Sequence, residues 1–141
     1  MIMNIELPSI EEQRRILFTD NVEKNCSALR ANLDAPMFPS APGFNAEAFS
    51  SKHLLTEQQE WESPAPELIY AWFEHFKQMF PEYNSDKKLA ALLGLYTSGD
   101  RRIRSFKTGE YKIPYGVWRK FLVLTGRVNQ EIISVMGFFN D

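Results

Sequence analysis

The chain has 141 residues, of which 44% are apolar, 24% charged and 13% aromatic. That is the composition of a packed domain, or of two small ones, and not of a disordered chain. No apolar run approaches the roughly 20 residues of a membrane span. The acidic opening "MIMNIELPSIEEQ" lacks the basic and apolar regions of a signal peptide, so a cytoplasmic, membrane-free protein is expected. Cys26 is the only cysteine, which excludes an internal disulfide and fits a reducing compartment.

The net charge of −2 hides an asymmetry. Residues 1–85 carry 6 Lys and Arg against 13 Asp and Glu, a balance of −7. Residues 86–141 carry 10 against 5, a balance of +5. A basic half of this kind points to a polyanion as partner, and the acidic half should lie away from it.

In chain order, Ser9 to about Leu33 reads as helix, opened by a capping box of Ser9 and Glu12. Ile10, Leu17, Val22, Cys26, Leu29 and Leu33 recur at helical spacing, and "FTDN" is an expected interruption because Thr, Asp and Asn favour caps and turns. "DAPMFPSAPGFN", with three prolines and a glycine, stops regular structure. Short helical turns are expected over 46–61, and "ESPAP" is a second breaker. The expected organisation is therefore an acidic, helical and Pro-rich region at 1–64, followed by a compact all-α domain at 65–141.

Within that domain Pro66 suits the first turn of a strongly apolar helix, "ELIYAWFEHFKQMF". "NSDKKLAALLGL" follows, with Ser85 as N-cap and Gly94 at its end. After the turn "YTSG" comes a short helix over 100–108, closed by Gly109. Pro114 starts "PYGVWRKFLVLTG", and Asn129 is an expected cap for a fifth helix, "QEIISVM".

The ordered set Ala90, Gly94, Leu95, Ile103, Phe106, Gly109, Ile113 and Pro114 resembles the helix-turn-helix of the lambda-repressor-like (Cro/C1, XRE) family. The narrower stretch "GDRRIRSFKTGE…IPYGVWRKFLVLTG" resembles phage and mobile-element regulators of that kind. The resemblance spans 65 to about 137, and the chain is about three residues longer than the usual pattern around "YTSGD". It implies a five-helix DNA-binding domain at the C-terminus.

The residues support the same reading on their own. With Ile103 and Phe106 turned to the core, about 100° per residue puts Arg101, Arg102, Ser105 and Thr108 outside. A helix fits the major groove, and arginine can donate two bonds to guanine. Arg101, Arg102 and Ser105 are the expected base readers. Arg104, Lys107, Lys88 and Lys112 are expected on phosphates, together with Lys87, Arg119 and Lys120. Thr97 and Ser98, in the turn, are further candidates. Trp118 and "YAWFEHF" read as core.

No cofactor, metal site or catalytic residue is expected. His53 and His75 lie far from each other and from Cys26, and no P-loop, dinucleotide fingerprint or protease triad is present. The expected function is a non-enzymatic, sequence-specific regulator of transcription, a repressor bound to double-stranded DNA as a homodimer. The alternative is an antitoxin or mobile-element inhibitor that holds a protein partner through residues 1–64 and regulates itself through the DNA-binding domain.

Overall fold

A computed structural model describes residues 6–141. Among them the protein is all-α: five α-helices and several short 3-10 turns, with no strand. The chain divides after Pro39 into two units, residues 1–39 and 40–141. The expected boundary at 64/65 therefore moves, because residues 40–64 pack into the core of the second unit.

The first unit contains α1 (Ile10–Ala31), followed by a 3-10 turn at Asn32–Asp34. Its capping box forms as expected. Ser9 Oγ accepts from the Glu12 N–H at 3.1 Å, and Glu12 Oε2 accepts from the Ser9 N–H at 3.3 Å. "FTDN" does not interrupt the helix. The Thr19 hydroxyl bonds back to the Arg15 carbonyl at 2.8 Å, so the residue is satisfied inside the helix. No residue of α1 is buried within its unit.

The second unit begins with 3-10 turns at Ala46–Ala48, Lys52–Leu54 and Glu57–Gln59. Four helices follow: α2 (Pro66–Met79), α3 (Asp86–Leu92), α4 (Gly99–Thr108) and α5 (Tyr115–Leu124). α2 buries Leu68, Ile69, Trp72, Phe73 and Phe76, a stripe at helical spacing. α5 answers with Trp118, Phe121 and Leu122. Trp72 and Trp118 stack 7° from parallel at 5.9 Å, and Phe73 meets Phe121 edge-on at 4.8 Å.

Residues 40–64 close one side of this core. Phe44, Phe49, Leu54 and Trp61 pack against it. His53 is buried beneath them, and its Nδ1 accepts from Trp118 Nε1 at 3.1 Å, while its carbonyl accepts from Trp61 Nε1 at 2.9 Å. Ser63 Oγ donates to the Ile113 carbonyl.

The expected fifth helix of this domain, 130–136, does not form; residues 129–141 have no regular structure. Arg119 donates to the Asn129 carbonyl at 3.0 Å, and Glu131 takes the Tyr115 hydroxyl, so the chain is tied along α5 where the helix would have begun. Ile132, Ile133, Val135 and Met136 stay exposed. A helix of two turns without a buried face does not recover its nucleation cost.

Candidate nucleic-acid interface

α3, the turn after it and α4 present Lys87, Lys88, Arg101, Arg102 and Arg104 as exposed cations. Ser85 caps α3, its Oγ accepting from the Lys88 N–H at 3.2 Å. The turn uses Gly94 at φ +82°, a conformation that side chains rarely adopt, and the Leu95 N–H returns to the Ala90 carbonyl at 2.8 Å. Leu95 is buried there, and Ser98 at φ +51° redirects the chain into α4.

α4 then crosses α3 at close range. A Cβ on Gly99 would stand 2.6 Å from the Ala90 Cβ, so only glycine fits against this alanine. Gly99, Ile103 and Phe106, at i, i+4 and i+7, form the buried face. At about 100° per residue the opposite face belongs to Arg101, Arg104 and Thr108, all exposed. Arg104 Nη1 stands 3.4 Å from Asp100 Oδ2, one turn earlier. Arg102 is exposed too, but it sits on the flank of the helix and not opposite the core.

Two expected contacts are corrected by packing. Ser105 is 7% exposed, and its hydroxyl donates to the Arg102 carbonyl at 2.6 Å, so it faces no base. The returning loop bonds to its backbone, the Tyr111 N–H donating to the Ser105 carbonyl at 3.3 Å. Lys107, with a side chain 10% exposed, turns inward. Its Nζ lies 2.8 Å from Glu74 and 2.9 Å from Asp86, while Lys77 lies 2.8 Å from each of the same two carboxylates. This four-charge cluster joins α2, the start of α3 and the end of α4. Burial pushes the carboxyls of Glu74 and Asp86 up, but hydrogen bonds from the two lysines outweigh it and leave both below their ordinary values.

Arg119 is corrected as well: it donates to the Leu54 and Asn129 carbonyls and lies 3.5 Å from Glu131, a structural role. Lys87, Lys88, Lys112 and Lys120 are exposed. Lys88 Nζ touches Asn84 Oδ1 at 3.3 Å, and Lys112 borders a shallow depression beside Trp61, Glu62 and Ser63. Thr97 and Ser98 are exposed in the turn, next to Tyr96.

The surface therefore brings together Arg101, Arg102, Arg104, Thr108, Thr97 and Ser98. It removes Ser105 and Lys107. The Asp100–Arg104 pair was open to detection from its i, i+4 spacing. The partners of Lys107, 33 and 21 residues away in sequence, left no local signal.

Among the described residues no group of three or more His, Cys, Asp or Glu side chains converges on a metal position, and no helix is long and apolar enough to cross a membrane. No protein-family model, curated protein or solved structure matches the chain.

Proposed function

We propose that the second unit binds double-stranded DNA, with α3 and α4 acting as a helix-turn-helix and α4 entering the major groove, and that the chain regulates transcription by occupying its site. One observation carries this reading. α4 is fixed on its inner face by Gly99, Ile103 and Phe106, while it exposes Arg101 and Arg104 opposite the core and Arg102 on the flank, of which only Arg104 has an acidic neighbour among the described residues. A helix meant only to pack needs no such face, and burying none of its arginines leaves their donors for an outside acceptor.

The charge balance of residues 86–141 adds a field that draws phosphate toward this side. No catalytic role follows from the geometry, and a repressor requires only occupancy. The test is fluorescence anisotropy with a mixed pool of labelled duplexes. The triple variant Arg101→Ala, Arg102→Ala, Arg104→Ala should lose at least about 100-fold in affinity, as three charge-assisted contacts of roughly 1–3 kcal/mol each imply. Its melting temperature should be unchanged. Equal affinity of variant and wild type would refute the proposal.

A further inference from the structure

We propose, resting on the DNA-binding reading above, that α4 reads two guanines close together on the duplex, one through Arg101 and one through Arg104, and a thymine methyl through Thr108, while Arg102 holds phosphate. The division follows from what each side chain meets. Arg101, Arg104 and Thr108 lie opposite the buried Gly99, Ile103 and Phe106, so they are the residues that penetrate deepest when the helix lies in a groove. Arg101 and Arg104 are three residues apart, a rise of about 4.5 Å, against about 3.4 Å per base pair. Two guanines within three successive base pairs match that spacing.

Arg104 is the less obvious reader. Its guanidinium is held along the helix by Asp100 at 3.4 Å. A carboxylate beside it repels phosphate but tolerates the neutral edge of a base, and the donors facing away from Asp100 suit guanine O6 and N7. Thr108 turns its hydroxyl back to the Ser105 carbonyl at 3.3 Å. Its polar atom is thus used within the helix, and its methyl is the group left for the groove, where the thymine C5-methyl is the apolar match.

Arg102 is set apart from the base edges by its place on the flank of α4. Ser105, one turn further on the same flank, is buried, and its carbonyl accepts from the Tyr111 N–H of the loop after the helix. With the opposite face of α4 toward the bases, a side chain on this flank meets the groove rim, where phosphates lie.

The experiment is selection of duplexes from a random pool by the full chain, followed by binding of single variants to the selected site and its single-base variants. All four positions are exposed, and circular dichroism melts check that each variant folds as the wild type does. The expected site holds two guanines within three base pairs and a thymine beside them. Arg101→Ala and Arg104→Ala should each erase the preference at one guanine, a loss of about 5- to 150-fold against the matched site. Thr108→Ser should erase the thymine preference alone. Arg102→Ala should leave every preference intact and reduce the log–log salt slope by about 0.9. If Arg104→Ala keeps all preferences, or Arg102→Ala loses one, the assignment of readers is overturned while DNA binding stands. Binding without any selected sequence also overturns the assignment alone. Failure of the wild type to bind any duplex overturns both.

Discussion

The indole N–H of Trp118 donates to Nδ1 of His53 at 3.1 Å, joining α5 to a turn 65 residues earlier in the chain. The bond needs a neutral imidazole, since a protonated ring has no acceptor. Burial, aided by the nearby Arg127 guanidinium, holds His53 down to about 4. Its unfolded value is near 6.5. As pH falls below 6.5 the unfolded chain takes a proton that the folded chain refuses, so stability drops until pH nears 4 and is then flat for this group. The loss should reach at most about 3 kcal/mol, at about 1.4 kcal/mol per pH unit. His53→Gln keeps an acceptor for Trp118 without a titrating ring. Thermal melts at pH 7.5, 5.5 and 4.5 should show a smaller loss in that variant than in the wild type. Equal losses would mean that His53 is not the group responsible.

Gly99 is expected to tolerate no side chain. Its Cβ position lies 2.6 Å from the Ala90 Cβ, a contact between two backbone-fixed atoms that no rotamer change relieves. Gly99→Ala should cost roughly 1–3 kcal/mol, the usual range for overpacking. Ala90→Gly in the same chain makes room, at the cost of a glycine inside α3. The double variant should therefore be more stable than the sum of the two single changes allows. Chemical denaturation of the four proteins measures the coupling, and strict additivity would show that the helices slide apart to absorb the methyl.

Local signals were strong wherever one residue's chemistry decides the backbone. Ser9 with Glu12, Pro66, Ser85, Gly94 and Gly109 marked helix ends that the structure has. The buried face of α4 followed from the spacing of Ile103 and Phe106. What failed depended on partners distant in sequence. The helix expected at 130–136 is absent because Tyr115 and Arg119 hold the segment along α5. The domain boundary shifted because His53, Leu54 and Ser63 find partners on α5 and its leading loop. Periodicity puts Ser105 outside, and it cannot show which distant segments bury one flank of a helix.

Phosphate contact is expected from Arg102, Lys88 and Lys112, which are exposed and border α4 or precede it. Affinity for any duplex should fall linearly on a log–log plot against salt, with a slope of about −0.9 per contact. Lys112→Ala should weaken binding to all sequences about equally and make the slope shallower by about 0.9. A slope unchanged in Lys112→Ala would remove the loop after α4 from the interface.

Lys107 offers the sharpest contrast with those residues. From sequence it belongs to the same basic run, yet its ammonium lies between Glu74 and Asp86. Lys107→Met should leave the salt slope of DNA binding unchanged, because no counterion-releasing contact is lost. It should instead destabilise the fold by roughly 1–3 kcal/mol, since two carboxylates of limited exposure are left to Lys77 alone. Adding Asp86→Asn restores the balance of one cation to one anion and should recover part of that loss. The acid dependence has a definite sign. Glu74 and Asp86 titrate below their ordinary values in the folded chain, so the cluster's contribution is present near neutral pH and is lost as pH falls through those lowered values. Melting curves against pH for the wild type and Lys107→Met should therefore converge in acid. A variant that melts like the wild type at neutral pH but binds DNA with a slope shallower by about 0.9 would show that Lys107 leaves the cluster to take a phosphate.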